Sequence, residues 1–414
     1  MSRLAETLEA PFSVRLWDGS LVPLGKDAGE TGPFISLNDP RVISTLLHAP
    51  SLETIVRLYA LGKIDLHADD LIAFMDSVRR KEYKTRLKSL KKRTFLKEFL
   101  IFLLSPSEKI NTSLQGSGPS QRDYIQFHYD LSNDFYALFL DPEMQYSCAY
   151  FTDPKNTLEQ AQRDKLEMIC RKLRLKEGEV FLDIGSGWGG LICHAARHYG
   201  VKAHGVTLSE AQYHHTTEKI KREGLEGRVT VRLQDYMDVE GSYDKIASIG
   251  MFEHVGLANV PRYFGKINSL LKDRGVLLNH AITRRAKGSK KKFQKIVSSM
   301  RLSQKFIFPG AELDHIGHSL DSMEMHGFEV RDVESWREHY VLTTALWCRR
   351  LTAKREEGIR LVGLERYRLW VAYLGVVSLG FVDGSCNIYQ TVAVKRSSKG
   401  LSGLPMTRRD WYAG

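Results

Sequence analysis

A strand that runs directly into a glycine-rich loop and then into a helix constrains this chain more than any other feature. In VFLDIGSGWGG an apolar run is followed at once by four glycines, Gly185, Gly187, Gly189 and Gly190. Glycines at the carboxyl end of a strand let the backbone turn sharply and approach a ligand, which is where open α/β sheets bind their cofactors. Asp183, at the corner between strand and loop, can order the loop or hold a cationic amino group. The sequence therefore predicts an α/β fold with a cofactor at this loop.

The elements around this loop predict a parallel sheet. Strands are predicted at residues 179–184, 201–207, 229–234, 243–249 and 275–282, and helices between them at residues 189–199, 209–223 and 260–271. Strands that alternate with helices are typical of a parallel sheet flanked by helices. Residues 388–395 alternate well enough for us to predict an edge strand there.

The position about 20 residues beyond the glycine loop helps to identify the ligand, because a dinucleotide-binding unit has Asp or Glu there to hold a ribose. In this chain the segment GVTLSE offers hydroxyls and a slightly late carboxylate at Glu210. The loop itself reads GxGxGG, whereas a dinucleotide fingerprint reads GxGxxG. Both departures favour S-adenosylmethionine over NAD. A purely structural glycine turn stays open as the third alternative.

Composition narrows the class of protein. A chain of 414 residues suffices for on the order of two or three domains, and its 43% hydrophobic and 26% charged residues are ordinary for a globular protein. The apolar runs at residues 95–104 and 371–382 are shorter than the about 20 residues of a membrane-spanning helix. No secretory signal is visible, and five separated cysteines indicate neither a disulfide framework nor a zinc site. We therefore expect a cytoplasmic protein without a metal.

The net charge of +11, from 60 Lys and Arg against 49 Asp and Glu, indicates an anionic partner. Basic side chains concentrate at residues 79–93 and 284–295. Such runs suit a surface that meets anionic lipid headgroups, and a solvated helix face is the alternative. Nucleic-acid binding predicts stacking aromatics among the basic residues, yet the first run contains only Tyr83. We expect an anionic membrane surface, and no nucleic acid, as the partner.

Four consecutive segments are predicted along the chain. Residues 1–104 form a small unit with a hairpin around Asp18-Gly19 and helices that begin near residues 40, 51 and 70. This unit docks to a membrane, forms a homodimer interface, or does both. Residues 105–120, rich in Ser, Gly and Pro, form a linker, and residues 121–395 form the sheet domain. Residues 396–414 form a mobile tail.

Five motifs together resemble the cyclopropane-fatty-acyl-phospholipid synthase family, which includes the mycolic acid cyclopropane synthases. They are YSCAYF at residues 146–151, LDIGSGWGGL at 182–191, GVTLSEAQ at 205–212, GMFEHVG at 250–256 and FIFPGAEL at 306–313. The resemblance covers residues 125–395 and extends loosely over the N-terminal unit. It implies a seven-stranded, Rossmann-like class I methyltransferase sheet with a smaller, mostly helical N-terminal domain.

The resemblance also implies the site residues, motif by motif. Residues expected to contact S-adenosylmethionine are Tyr146, Ser147, Asp183, Gly185, Ser186, Gly187, Thr207, Leu208, Ser209, Gln212, Asp235 and Tyr236. Residues expected at the reaction, around a bicarbonate ion that serves as the base, are Glu253, His280, Tyr340 and Cys148, the last through its backbone N–H. Without the resemblance, these would be a capping Glu, a core His and a packing Tyr.

The activity that the resemblance implies is methyl transfer to the double bond of an unsaturated acyl chain, most often on a phospholipid, followed by closure of a cyclopropane ring. One departure is Val377, where many relatives carry Cys in a YLxxC context. It leaves open a relative that makes a methyl- or methylene-branched chain. Residues 361–381 suit an acyl tunnel or a buried core helix. A small-metabolite or nucleic-acid methyltransferase and a non-enzymatic lipid-binding protein are the rival classes.

Overall fold

The computed structural model describes residues 9–26, 28–29, 31–79, 131–295, 298–307 and 310–412. The chain divides into two compact units. The first consists of Met1–Gln115, Ile296–Ile307 and Trp347–Leu379, and the second of Gly116–Lys295, Phe308–Leu346 and Gly380–Gly414. Both units are therefore discontinuous in sequence, whereas the sequence analysis divided the chain into consecutive segments.

The described strands and helices are numbered here in chain order. The strands are β1 (Ser13–Arg15), β2 (Leu21–Pro23), β3 (Phe34–Leu37), β4 (Ile64–His67), β5 (Val180–Ile184), β6 (Lys202–Thr207), β7 (Val229–Leu233), β8 (Tyr243–Ile249), β9 (Leu271–Arg284), β10 (Phe328–Ser335) and β11 (Cys386–Lys395). The helices are α1 (Arg41–His48), α2 (Leu52–Ala60), α3 (Leu71–Val78), α4 (Asn133–Ala137), α5 (Leu158–Leu173), α6 (Gly190–Tyr199), α7 (Glu210–Arg222), α8 (Val260–Leu270), α9 (Lys290–Gln294), α10 (Ser298–Phe306), α11 (Ile316–Met325), α12 (Arg337–Ala353), α13 (Arg355–Val362), α14 (Leu364–Val382) and α15 (Arg409–Tyr412).

The first unit carries a four-stranded sheet in the order β2-β1-β3-β4. The predicted hairpin is confirmed: β1 and β2 are antiparallel, and Asp18 Oδ1 accepts a hydrogen bond from the Ser20 N–H at 2.9 Å within the turn. Two of the predicted helix starts are capped by side chains, because Ser51 Oγ accepts from the Thr54 N–H and Asp70 Oδ1 accepts from the Ala73 N–H. The basic run beyond residue 79 and the linker at residues 105–120 lie outside the described residues.

Helix α14 is largely buried within the first unit. Trp370, Val371 and Leu374 are each at most 3% exposed. The helix also approaches α3 closely, because a Cβ on Gly375 would lie 2.8 Å from the Met75 sulfur. This part of the apolar segment at residues 361–381 is thus a buried helix. Within the described ranges, every helix is too short or too polar to span a lipid bilayer.

The second unit contains the predicted seven-stranded sheet, in the order β10-β11-β9-β8-β5-β6-β7. Strands β9, β8, β5, β6 and β7 are parallel neighbours, and β11 pairs antiparallel with both β9 and β10. The prediction of an edge strand at residues 388–395 is wrong, because β10 lies outside β11. Successive residues Val392, Ala393 and Val394 are fully buried, as expected for a strand covered on both faces.

Helices cover both faces of this sheet. Adjacent residues Phe181 and Leu182 belong to different core clusters, because successive side chains of a strand point to opposite faces. Phe181 packs with residues of α5 and α6, and Leu182 packs with residues of α8 and α11. The carboxyl ends of the parallel strands are therefore left as the open edge at which a ligand can bind.

The C-terminal segment is ordered by one large side chain. Trp411, in α15, is 2% exposed and joins the core cluster that contains Phe181. Arg174 Nε also donates a hydrogen bond to Asp410 Oδ2 at 2.6 Å. The prediction of a mobile tail is therefore wrong at α15. The short helix was missed because Gly, Ser and Pro in the preceding residues obscure any periodicity.

Candidate active site

A cavity lies at the carboxyl ends of β5, β6 and β8. The predicted contact residues that line it are Tyr146, Ser147, Asp183, Gly185, Ser186, Gly187, Thr207, Leu208, Gln212, Asp235 and Tyr236. Ser209 is not among the lining residues; its hydroxyl instead caps α7 by accepting from the Gln212 N–H at 3.3 Å. Residues that the sequence analysis did not select also line the cavity, among them Lys165, Trp188 and His254.

The glycine loop is held against β6 and leaves open space beside it. The N–H groups of Gly185 and Ser186 both donate to the Val206 carbonyl oxygen at 3.0 Å. Gly185 and Gly187 have φ angles of 80° and 53°, which favour glycine. A Cβ on Gly185 would lie 3.0 Å from the Met251 side chain, whereas a Cβ on Gly187 would meet no atom of the structure within 4 Å. The loop can therefore accept a ligand at Gly187.

Two buried ionisable side chains, an acid and a base, line the cavity. Asp183 is 2% exposed, and its Oδ1 has no hydrogen-bond partner among the described residues. Lys165 is 1% exposed; its Nζ donates to Ser147 Oγ at 3.0 Å and also contacts Gln145 Oε1. Burial raises the pKa of Asp183, an effect that the Lys165 charge opposes, and burial lowers the pKa of Lys165. The unpartnered carboxylate oxygen is an acceptor for a cationic ligand group.

Helix α5 supports residues 144–147, which line the cavity near Asp183 and Lys165. Gln162 lies one turn before Lys165 and is fully buried, and its Nε2 donates to the carbonyl oxygens of Gln145 and Ser147. The sequence analysis missed Gln162 and Lys165. The available signal was that two polar residues occupy the buried face of a helix, where long polar side chains are rare unless they have partners.

The other end of the cavity presents hydroxyl and carboxyl groups. Thr207 Oγ1 donates to Gln212 Oε1 at 2.7 Å, so β6 and α7 are fixed to each other there. Asp235 Oδ1 accepts from the Met237 N–H at 2.8 Å and begins a short turn that contains Tyr236. The Tyr236 ring packs edge-on against Tyr263, with 5.5 Å between ring centroids. An aromatic ring beside polar acceptors suits a nucleoside.

The four residues expected at the reaction do not line this cavity. The side chains of Cys148 and His280 contact Trp336, which the sequence analysis missed, and Tyr340 lies one helical turn after Trp336. Cys148 Sγ donates to the Trp336 carbonyl oxygen at 3.7 Å, the His280 ring lies perpendicular to the indole at 5.3 Å, and the Tyr340 N–H donates to the same carbonyl at 3.1 Å. The Tyr340 ring packs on Phe381 at 4.5 Å. Burial raises the pKa of the Cys148 thiol well above its usual value, so this side chain is uncharged.

The fourth residue, Glu253, is joined to the strand that carries His280. Glu253 Oε1 accepts from the Ile282 N–H at 2.6 Å, and Ile282 lies two residues after His280 on β9. Glu253 Oε2 and His280 Nε2 are buried and have no hydrogen-bond partner among the described residues. Burial raises the pKa of Glu253 to about 7 and lowers the pKa of His280 well below its usual value. His254, the neighbour of Glu253, lines the first cavity.

Comparisons with known proteins identify the family of this chain. A protein-family model described as mycolic acid cyclopropane synthetase matches residues 118–391, a range that contains both the cavity and the Trp336 cluster. A Pseudomonas putida protein named probable fatty acid methyltransferase is 35% identical over 419 residues and covers 98% of each chain. The cyclopropane-fatty-acyl-phospholipid synthase of Escherichia coli K12 is 39% identical over 275 residues, which are 66% of this chain and 68% of that protein.

A solved structure is also similar to this chain. A mycolic acid cyclopropane synthase complexed with SAH and CTAB has a TM-score of 0.64 and 33% identity. The match covers 67% of this chain and 99% of the other.

Proposed function

The chain belongs to the mycolic acid cyclopropane synthetase family of S-adenosylmethionine-dependent methyltransferases, which act on lipid chains, and we propose that it methylates the double bond of an unsaturated acyl chain on a phospholipid. The resulting carbocation on the acyl chain then loses a proton from the added methyl group and closes to a cyclopropane ring. One observation carries this proposal: Glu253 holds a buried carboxyl oxygen that has no partner among the described residues. A reaction that removes a proton away from water needs such a site.

The cavity fits S-adenosylmethionine, which supplies a methyl group activated on a sulfonium when it is bound. The unpartnered Asp183 Oδ1 suits the ammonium of the methionine part. The open position at Gly187 gives room for close approach, and Thr207 offers a polar group for the ribose. Asp235 and Tyr236 are the residues for the adenine.

The unpartnered atoms of Glu253 and His280 suit a bicarbonate ion, and we propose that this ion is the base. Bicarbonate has one O–H that can donate to Glu253 Oε2 and oxygens that can accept from His280 Nε2, and both atoms lack partners among the described residues. Tyr340 and the Cys148 backbone N–H are the remaining groups proposed to hold it. If this is correct, turnover falls in bicarbonate-depleted buffer and recovers when bicarbonate is added back. Unchanged turnover after depletion would leave Glu253 itself as the proton acceptor.

A branched product is the second candidate, and two observations favour it. The Pseudomonas putida relative spans 98% of this chain and is named a probable fatty acid methyltransferase, whereas the cyclopropane synthase from Escherichia coli covers 66% of this chain. The family resemblance also places Val377 where many members carry Cys. A methylene-branched chain would arise if the cation shifts a hydride before it loses the proton, so the same buried site serves both outcomes.

The lipid surface is the proposed partner, reached from the cytoplasm. Side chains of Arg285, Lys287, Lys291, Lys292 and Lys295 in the basic run at residues 284–295 are exposed, while Phe293 is buried. Exposed cations on and beside a short helix whose apolar residue is buried suit peripheral contact with anionic headgroups. Replacing Lys291, Lys292 and Lys295 by Gln should weaken sedimentation with anionic vesicles at low salt. A homodimer through the first unit is a further proposal, testable by light scattering.

Analysis of cellular fatty acids tests the main proposal. Cells that express the wild type should gain one CH2 group on unsaturated acyl chains, and cells that express Glu253→Gln should not. The exposed Glu338→Gln variant is the matched control and should behave as the wild type. Mass spectrometry detects the added CH2, and gas-chromatographic retention against standards separates ring from branch. If no acyl chain changes while the folded wild type binds S-adenosylhomocysteine, the lipid substrate is wrong.

A further inference from the structure

A chain of buried polar side chains leads from the edge of the sheet to His280. Lys172 Nζ forms an ion pair with Glu334 and donates to Gln390 Oε1 at 2.8 Å. Gln390 Nε2 lies 3.0 Å from His280 Nδ1. The Lys172 side chain, Gln390 and His280 are all 0% exposed. Gln390 and His280 also face each other as paired residues of β11 and β9. Neither Lys172 nor Gln390 lines the cofactor cavity, and the sequence analysis selected neither of them.

Donor and acceptor chemistry fixes the direction of each hydrogen bond between Lys172, Gln390 and His280. A lysine ammonium has donors only, so the Gln390 atom that faces Lys172 must be the amide oxygen. The amide NH2 of Gln390 then faces His280, and Nδ1 of the ring must accept. A neutral imidazole that accepts at Nδ1 carries its proton on Nε2. The Gln390 orientation therefore follows from Lys172, and the His280 tautomer follows from Gln390.

Lys172 has a direct ionic partner in Glu334, and a carboxylate beside an ammonium favours its charged form. Glu334 pairs with it directly, the Trp336 ring lies 5.1 Å from Nζ and the Trp411 ring 5.8 Å. Burial lowers the pKa of Lys172, the Glu334 and Asp332 carboxylates oppose this effect, and the Arg408 guanidinium adds to it. A charged Lys172 has no lone pair, so it cannot accept from Gln390 and the amide has only one satisfied orientation.

We propose that Lys172 and Gln390 are positioning residues that hold His280 as the Nε2–H tautomer, so that the ring offers a hydrogen-bond donor to an anion in the reaction site. The inference rests on the proposed function, in which His280 Nε2 faces the bound base. It has one chemical consequence: His280 in this form has no lone pair at Nε2 and is not the proton acceptor. That role falls to the bound anion or to Glu253.

Nitrogen NMR of histidine-labelled protein reads the tautomer directly, without turnover. The His280 signal, assigned by its loss in His280→Gln, should show the proton on Nε2 in the wild type. In Gln390→Glu a carboxylate replaces the amide and still pairs with Lys172, but it only accepts, so Nδ1 should carry a proton. Lys172→Arg keeps a donor-only partner and should retain the wild-type signal, whereas Lys172→Met frees the amide and should give both tautomers.

Lipid product and ligand binding complete the test. Gln390→Glu should lower the rate of product formation by at least about tenfold, the equivalent of one hydrogen bond, with S-adenosylhomocysteine affinity changed less than about twofold. Each of three results would overturn the proposal: a proton on His280 Nδ1 in the wild type, an unchanged NMR signal in Gln390→Glu, or an unchanged rate in Gln390→Glu although the proton has moved to Nδ1. A wild type with the Nε2 proton and no lipid product would instead contradict the proposed function and leave the positioning intact.

Discussion

Replacing Glu253 by Gln should stabilise the folded chain relative to the wild type at neutral pH. This gain in the free energy of unfolding should be smaller at acid pH. Gln can still accept from the Ile282 N–H, so the replacement removes the ionisable group with little change of shape. Burial raises the pKa of Glu253 from 4.5 to about 7, so the folded wild type must either keep the proton or bury a charge. At about 1.36 kcal/mol per pH unit, this difference corresponds to about 3.4 kcal/mol.

The sign follows from the raised pKa. Below pH 4.5 the carboxyl is protonated in the folded and unfolded chain, and Glu253 contributes no pH-dependent penalty. As the pH rises from 4.5 towards about 7, the unfolded chain ionises first and the wild type loses stability, and above about 7 the loss is complete. The Gln variant lacks this loss, so its relative stability should grow across the same window.

Urea denaturation at about pH 5 and about pH 8 measures the effect as the change in the stability difference between the two proteins. We expect that difference to increase by about 2–3 kcal/mol in favour of Glu253→Gln, because part of the window lies below the lower pH. The side chain of Glu338 is 86% exposed, so Glu338→Gln is the control and should give equal differences at both pH values. Equal differences for Glu253→Gln as well would refute the burial argument.

Three further changes address the cofactor cavity and the core. Asp183→Asn should weaken binding of S-adenosylhomocysteine by at least about tenfold in calorimetry, because the ammonium loses a charged acceptor. Gly189→Ala should cost more stability than Gly178→Ala, although both have φ near 80°, because only at Gly189 would the new Cβ lie 2.5 Å from Thr216. The strain common to both is about 1–2 kcal/mol. Trp411→Ala should cost about 3–5 kcal/mol, since it empties a buried indole site.

Each of these results has a contrary outcome. Unchanged calorimetric affinity in Asp183→Asn would place the ligand ammonium elsewhere. Equal urea midpoints for the two glycine variants would mean that Thr216 moves freely, despite its hydrogen bond to the Gly187 carbonyl oxygen at 3.2 Å. A loss below about 1 kcal/mol in Trp411→Ala would mean that α15 contributes little to the core.

The sequence predicted those elements whose side chains carry a clear signal. The strand before the glycine loop is buried, and three of the four loop glycines have positive φ. Side chains cap two of the three predicted helix starts, so pattern and structure agree there. Strand β10 gave no such signal, because only Phe328 in it is buried and its other positions are charged or partly exposed. Missing β10 made β11 look like an edge. Whether a strand lies at the edge of a sheet depends on a neighbour that is distant in sequence, so no local sequence pattern can predict it.

The residues of the candidate site also fall into a predicted group and a missed group. Residues adjacent to strand ends were predicted from motifs, and the structure brings most of the cofactor set around one cavity. Lys172 and Gln390 were missed because their partners come from far along the chain. Lys172 and Gln390, for example, are 218 residues apart. A polar side chain destabilises the fold when it is buried without a partner. Burial of such a residue can therefore be predicted only when its partner is known.

The reaction site carries a cost that links the stability predictions to the chemistry. Buried polar atoms normally have partners, and each one left without costs about 1–3 kcal/mol. Asp183 Oδ1, Glu253 Oε2 and His280 Nε2 are all buried and have no partner among the described residues. If Glu253 served the fold alone, its replacement by Gln would be neutral or destabilising and would leave lipid product unchanged. Greater stability together with lost product is the combination that only a carboxyl kept for the reaction explains.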